Sequence, residues 1–381
     1  MKTTVAEDIL YSRATNLPYS VIENPQCEFL TETLFVTRLL QERTRAERSG
    51  RQFALMLLDI HALSSKQEYN LLRSLPAALA YSMRESDIVG WHQEDLVAGV
   101  ILTEFGDWDI LAALPAVKTR VCTALRDHLP LLDVDQLSIS FHIFPEEWNL
   151  QDRTCAADFA LHPDLRRSNG NRRSGHVLKR SMDIVGSLLA IILLSPVFLG
   201  IGLLIRLTSP GPVLFRQQRI GQFGVPFTFL KFRSMNCNAE SDLHEDYVKR
   251  FIAGRAGPAN ASGLYKLDND PRVTPVGRFL RRTSLDELPQ FFNVLKGEMS
   301  LVGPRPPLLY ELRAYSLWHR RRLLDARPGI TGLWQVSGRS SVRFDEMVRL
   351  DLRYAASQSL WLDLCILAKT PWAVISCRGA Y

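Results

Sequence analysis

The chain has 381 residues, a formal net charge of +6 and a pI near 9.0, with 46% hydrophobic residues. That length accommodates two or three units, each able to bury a core, which excludes disorder as the default. The positive balance, with Arg concentrated after about residue 160, calls for an acidic partner such as phosphate, anionic lipid or nucleic acid.

The six cysteines, Cys27, Cys122, Cys155, Cys237, Cys365 and Cys377, lack a C-x-x-C pair, and the histidines lack H-x-x-x-H spacing. Both patterns argue against a zinc site and for reduced thiols in a cytoplasmic chain. The residues after Met1, with Glu7 and Asp8 among them, do not form the basic-then-apolar pattern of a secretory signal, so export of the first half is not expected.

Apolar positions Leu30, Leu34, Phe35, Leu39 and Leu40 recur at near-helical spacing and lead through a charged stretch to Gly50, which predicts a helix and a turn. Phe53 to Ile60 is a short continuous apolar run, as in a buried strand. A helix through Leu71, Leu72, Leu75, Ala78 and Leu79 follows, then a hairpin from Asp87–Trp91 and Leu96–Leu102, a helix over Leu111–Leu129 and a strand over Leu137–Phe144. This order predicts an α/β sandwich with helices on one face of a mixed sheet.

Leu-Leu-Asp59-Ile, a helix ending Arg84-Glu-Ser-Asp87 and the hairpin together resemble the GGDEF nucleotide-cyclase domain over roughly residues 30 to 145. Where that family carries Gly-Gly-Asp-Glu-Phe, this chain has Trp91-His-Gln-Glu-Asp95, without the paired glycines that let backbone approach a nucleotide. Asp59 matches the family's first metal-ligating Asp, but the second acid is replaced by His61. The resemblance therefore implies a degenerate regulatory or dimerisation domain rather than a cyclase, with a nucleotide sensor and a purely structural module both open.

Arg166 to Gly175 is polar and basic, a linker suited to an anionic lipid surface. Ile184 to Ile205 carries no charge and as a straight helix would be about 33 Å long, enough to cross a bilayer. Lys179 and Arg180 precede it while Arg206, Arg216 and Arg219 follow, so positive charge marks neither side. Ser195-Pro196 lies near its centre, where proline bends a helix. A re-entrant helix, entering and leaving by the cytoplasmic face, satisfies both flanks; a true span and a buried core helix are the alternatives. The expected organisation is an N-terminal segment (1–28), a GGDEF-like domain (29–150), a basic linker (151–178), a re-entrant membrane helix broken at Ser195 and Pro196 (179–207), and a mostly α-helical C-terminal domain (208–381).

In that last part Val213–Phe215 and Phe227–Lys231 read as strands. Lys231 and Arg233, one residue apart, suit a pyrophosphate if the segment is extended, although a solvated basic edge looks the same. Asp268-Asn-Asp270 fits either a turn or a metal-binding Asp-x-Asp. Gly277-Arg-Phe-Leu-Arg-Arg282 leads into Ser284-Leu-Asp-Glu-Leu-Pro-Gln. There Ser284 and Glu287 have the spacing of a helix capping box, while Asp286 and Glu287 could divide between attack on phosphorus and metal binding. Leu308 to Leu324 is an Arg-rich, Trp-containing amphipathic helix, of membrane-interface or ordinary surface type. The Gly-rich loop from Arg327 to Arg339 could bring backbone amides to phosphates between two bidentate cations. A helical tract starts near Asp351, Arg353 and Tyr354 and runs through Trp361 to Trp372.

Lys231-Phe-Arg-Ser-Met, Ser284-Leu-Asp-Glu-Leu-Pro-Gln, Leu295-Lys-Gly-Glu-Met-Ser-Leu-Val-Gly-Pro-Arg-Pro, Arg327-Pro-Gly-Ile-Thr-Gly and Gln335-Val-Ser-Gly-Arg stand in one order. From about Lys179 to Tyr381 the chain thereby resembles the bacterial sugar transferases, monotopic phosphoglycosyl transferases that load a sugar 1-phosphate onto polyprenyl (undecaprenyl) phosphate. The resemblance implies that Asp286 is the nucleophile and that Glu287 helps hold Mg²⁺. It also implies a UDP-sugar donor, released UMP, the cytoplasmic face of a bacterial inner membrane and a role in exopolysaccharide synthesis. Lys231, Arg233, Arg278, Arg305, Arg327 and Arg339 are the candidate phosphate-binding cations, and Asp351 is a candidate second acid. Anionic lipid is the expected further partner, a homodimer is open and nucleic acid is not expected. The competing reading is a catalytically silent, membrane-attached nucleotide-sensing scaffold. No stretch declares which sugar is carried.

Overall fold

The computed structural model describes residues 28–60, 65–105, 110–128, 137–146, 157–164, 173–235, 249, 252, 272–337 and 343–375, and the chain divides into two compact units, Met1–Phe144 and Pro145–Tyr381. His61, Asp268-Asn-Asp270, Arg339 and half of the basic linker (151–156 and 165–172) lie outside the described residues.

In the first unit, α1 (Glu32–Ser49) ends where Gly50 turns left-handed and its N–H donates to Ala46 O. Then come β1 (Phe53–Asp59), α2 (Ser65–Ser82), the hairpin β2 (Ile88–Gln93) and β3 (Val97–Leu102), α3 (Ile110–His128) and β4 (Ser138–Phe144). The sheet order is β2-β3-β1-β4 and every neighbouring pair is antiparallel. The sheet is therefore not the mixed one expected: β1 and β2 run the same way, but β3 lies between them. An isolated parallel bridge joins Leu30 to Gly90 at the β2 edge.

Helices also cover both faces rather than one. Met56, Leu58, Leu79, Val89, Val100 and Leu125 form a core on the face covered by α2 and α3. On the other face Phe35 of α1 lies over the cross-strand pair Gly90 and Gly99, where a Cβ on Gly99 would stand 2.5 Å from the Phe35 ring. A β1 apolar at every position but its last needs cover on both sides.

The second unit begins before the region read as catalytic. Ala157 donates to Phe223 O at 3.2 Å and the Phe159 and Phe223 rings meet edge-on at 5.2 Å, so part of the segment read as linker is docked onto a hairpin turn. Helices α4 (Arg173–Leu193) and α5 (Ser195–Thr208) meet at Leu194 with a 61° bend. Pro196 sits in the first turn of α5, where its missing N–H removes no helical bond. Among the described residues no single helix is long and apolar enough to cross a membrane, whereas this bent pair meets the test together.

The charges that precede the apolar segment face inward. Lys179 Nζ donates to Asp363 Oδ2 at 2.7 Å and to Val302 O and Tyr354 OH at 3.2 Å. Arg180 donates to Val294 O and Leu295 O, and Asp183 Oδ1 accepts from Ser300 Oγ and Leu301 N at 2.9 Å. The spacing i, i+1, i+4 places these three on one side of α4. They fix the helix pair to the body instead of meeting lipid headgroups.

The rest of the unit comprises the antiparallel hairpin β5 (Leu214–Ile220) and β6 (Pro226–Phe232), then α6 (Pro275–Thr283), a 3₁₀ turn Leu285–Glu287 and α7 (Gln290–Lys296). After these come β7 (Ser300–Val302), α8 (Leu309–Ala314), α9 (Leu317–Asp325), β8 (Gly329–Thr331), α10 (Leu333–Ser337), α11 (Phe344–Ala356) and α12 (Leu360–Ile375). The stretch expected as one interfacial helix is thus two, α8 and α9, separated at Tyr315-Ser316. Leu312, Tyr315 and Leu323 pack with Trp334, Phe344 and Met347. Its apolar stripe is spent on this core, which rules out a lipid-facing role for that stripe.

His319 of α9 is buried against Tyr315, Trp318 and Phe344, with Nδ1 accepting from Ser316 N at 3.1 Å and Nε2 against Asp345 Oδ1 at 3.1 Å. Burial holds its pKa below the usual value; Asp345 opposes this and Arg322 adds to it. A His whose folded pKa is depressed takes up its proton more readily when unfolded, so stability is lost as pH falls below about 6.5. Denaturant unfolding at a series of pH values is expected to show that decline, and His319→Gln to flatten it; an unchanged slope in the variant would contradict the assignment.

Candidate active site

The site is built where the β5–β6 hairpin meets the turn between α6 and α7. Ser284 ends α6 in the left-handed region (φ 56°) and makes no side-chain cap. The Ser284/Glu287 capping box is therefore not formed; the reversal of the chain at Ser284 replaces it. Leu285 and Leu288 pack with Ile201, Ile205, Phe232 and Leu280 and so pin the turn from both ends. In a 3₁₀ turn successive side chains diverge by about 120°. Asp286 is 4% exposed, while the Glu287 side chain is 33% exposed with Oε1 3.8 Å from Lys231 Nζ.

Asn293, fully buried on α7, locks this turn to the hairpin. Its Nδ2 donates to Thr228 O at 2.7 Å and Glu298 Oε2 at 2.6 Å, and its Oδ1 accepts from Leu230 N at 3.1 Å. On the hairpin face Lys231 Nζ lies 5.4 Å and the Arg219 guanidinium 4.4 Å from the Phe229 ring centroid. Arg219 also donates to Pro306 O at 2.7 Å and to Gln217 Oε1. Burial and the like charge of Arg305 bring its pKa down to about 10, while Glu311 and Glu287 oppose the shift. Arg219 stays protonated at neutral pH.

The structure thus sets Asp286 and Glu287 on one turn with Lys231 beside Glu287, and places Arg305 against Glu311, 3.6 Å away. Arg233 is elsewhere: it is buried beyond the end of β6, donating to Ser209 O, Ser209 Oγ and Pro210 O. It ties the strand to the C-terminal end of α5, where cations satisfy orphan carbonyls, and does not pair with Lys231 for a pyrophosphate. Asp351 is buried, with Oδ2 2.8 Å from Arg322 Nη1. Burial pushes it up to about 6 against the pull of Arg322, and its role is to neutralise a core arginine. Arg278 is exposed on α6. Burial and the like charge of Arg180 hold the Arg327 pKa below the usual value, while Asp183 opposes the shift.

The glycines of the Arg327 loop serve a different purpose from the one expected. Gly329 N donates to Pro304 O and Gly303 N to Thr331 O, both at 2.8 Å. A Cβ on Gly329 would lie 2.0 Å from Gly303 N, and one on Gly303 2.1 Å from Arg327 O. Backbone interlocks with backbone, which holds the Gly303-Pro-Arg-Pro turn and hence Arg305 in place. Sequence reasoning missed Arg219, Asn293 and Glu311 as parts of the site. Arg219 was visible only as flanking charge, and nothing local marks the other two.

Among the described residues no three His, Cys, Asp or Glu side chains gather as a metal cage. The partly exposed Glu287 carboxylate suits magnesium, which is commonly held by one or two carboxylates together with substrate phosphates.

Paired carboxylates stand here against cations, in a body that carries a bent apolar helix pair. The profile described as bacterial sugar transferase matches residues 174–377, and the chain belongs to that family. It is 46% identical over 216 residues to undecaprenyl-phosphate galactose phosphotransferase of Salmonella typhimurium, covering 56% of this chain but 44% of that one. It is 43% identical over 210 residues to exopolysaccharide production protein ExoY of Sinorhizobium fredii, covering 55% and 91%. The chain thus spans less than half the length of the first relative. Among solved structures, a DGC protein from Thermotoga maritima matches with a TM-score of 0.26 and 17% identity, over 32% of this chain and 87% of that one.

Proposed function

We propose that the chain transfers a sugar 1-phosphate from a UDP-sugar to undecaprenyl phosphate, as a step of exopolysaccharide synthesis. The observation that carries this reading is the Asp286-Glu287 turn, which Asn293 ties to the β5–β6 hairpin with Lys231 beside Glu287. In the first step an Asp286 carboxylate oxygen bonds to the phosphorus that bears the sugar, and the bond from that phosphorus to the oxygen of UMP breaks. In the second an oxygen of the lipid phosphate attacks the same phosphorus and the Asp286 carboxylate leaves. Atoms balance and no further reactant is needed. Lys231 and Arg305 offset the charge of the diphosphate. Magnesium, when bound at Glu287, supplies further neutralisation of that charge.

The acceptor is lipid, and the exposed apolar surface suits it. Leu199, Leu203 and Leu207 of α5, Phe279 of α6, Phe292 of α7, and Trp361 and Trp372 of α12 are all exposed. Tryptophans at such a surface favour the membrane–water interface. We read α4 and α5 as a re-entrant pair and the chain as monotopic at the cytoplasmic face of the inner membrane. The first unit is a degenerate GGDEF-like module of regulatory type. Detergent-solubilised protein with Mg²⁺, undecaprenyl phosphate and a panel of UDP-sugars is expected to release UMP with at least one of them; no release across the panel overturns the reading.

A further inference from the structure

Glu311 is a fully buried carboxylate on α8. Leaving such a charge uncompensated costs several kcal/mol, so its surroundings show what it is for. One oxygen, Oε2, accepts from Leu308 N at 3.2 Å and faces the Tyr315 hydroxyl at 3.5 Å. Tyr315 accepts from Arg322 on its other side, and burial raises its pKa, so it remains a phenol with its proton directed toward Glu311. The second oxygen, Oε1, is buried, has no hydrogen-bond partner among the described residues and stands 3.6 Å from Arg305 Nη1. The Arg305 side chain is 19% exposed, so this end of the carboxylate faces a cation that opens toward solvent.

Arg305 has a reason to need such a partner. Its like charge lowers the pKa of the buried Arg219, and a carboxylate beside Arg305 offsets that repulsion. Arg219 fixes the backbone beside it through Pro306 O, which leaves the side-chain direction to be set from elsewhere.

We infer that Glu311 is a positioning residue: its buried carboxylate holds the Arg305 guanidinium toward the diphosphate that meets Lys231 and Glu287. This rests on the phosphotransfer reading above. The chain Arg305, Glu311, Tyr315, Arg322, Asp351, buried from Glu311 onward, alternates cation with acid through one phenol, so the core arginine and Asp351 support the site indirectly.

Glu311→Gln tests it, because Gln keeps the volume and can still serve the α8 cap but carries no charge. In the full chain it is expected to keep the thermal midpoint and to lower kcat/KM for the UDP-sugar about tenfold, chiefly through KM, as loss of a ground-state contact does. Glu311→Asp should recover part of that loss. The double variant Glu311→Gln/Arg305→Ala should lose no more than Arg305→Ala alone, since both act through one guanidinium. Should the Gln variant unfold, Tyr315→Phe, which removes the hydroxyl facing Oε2, is expected to raise KM about threefold. A Gln variant within twofold of wild type, fully additive losses in the double variant, or an unchanged KM in Tyr315→Phe overturns the inference. Wild-type turnover by Arg305→Ala overturns instead the placing of Arg305 at the diphosphate, and with it this part of the phosphotransfer reading.

Discussion

Asp286→Asn is expected to abolish UMP release, by on the order of 10³-fold or more, the scale on which nucleophiles fail when replaced. The amide has nearly the shape of the carboxylate, and the turn is pinned by Leu285 and Leu288 rather than by the Asp286 side chain alone, so the thermal midpoint should stay close to wild type. The variant should also fail to trap phosphosugar, whereas wild type mixed with UDP-sugar and no lipid acceptor should carry one phosphosugar on Asp286, detectable by mass spectrometry of peptides. Glu287→Gln is a useful contrast. Its residue lies beside Lys231 and is only partly buried, and the variant should lose activity chiefly by requiring more Mg²⁺. Wild-type turnover by the Asn variant would end the covalent mechanism.

The second large effect is on folding. Gly329→Ala should cost about 3 kcal/mol or more, because the new methyl meets backbone at 2.0 Å and backbone cannot rotate away as a side chain can. Relief requires β7 and β8 to separate, straining the 2.8 Å bonds from Ser300 N to Pro328 O and from Gly303 N to Thr331 O. For a unit of this size the midpoint should fall by roughly 6 °C or more. Gly303→Ala should behave alike. Had the loop served to cradle phosphate, Ala would instead raise KM at an unchanged midpoint. Thermal unfolding and KM measured on the same protein separate the two, and a midpoint within about 2 °C of wild type would refute the interlock.

The local features of the site were legible in the sequence. The Asp-Glu pair behind a basic helix, the break at Ser195-Pro196 and the two strands flanking Gln222–Gly224 each follow from residues within a few positions of one another. The strand and helix order of the first unit was legible for the same reason, since period and turn residues are local signals. Its strand directions and the helix on its second face were not, because β3 enters between β1 and β2 only when the sheet assembles.

What the sequence by itself determined, then, is which chemistry the chain carries: carboxylates at 286 and 287, abundant arginine, and apolar helices bent at one proline. Only the tertiary structure decided which of those charges are spent on the fold. Arg233 and Asp351 looked equal to Lys231 and Arg305 as candidates, yet the first closes α5 and the second neutralises Arg322, 29 residues away. Lys179 reads as a membrane flank until Asp363, 184 residues further on, is seen to hold it. The physical reason is that an ion's partner in a core is chosen by desolvation: a buried charge must find its opposite wherever the fold brings one, and nothing in its own neighbourhood along the chain says where that is.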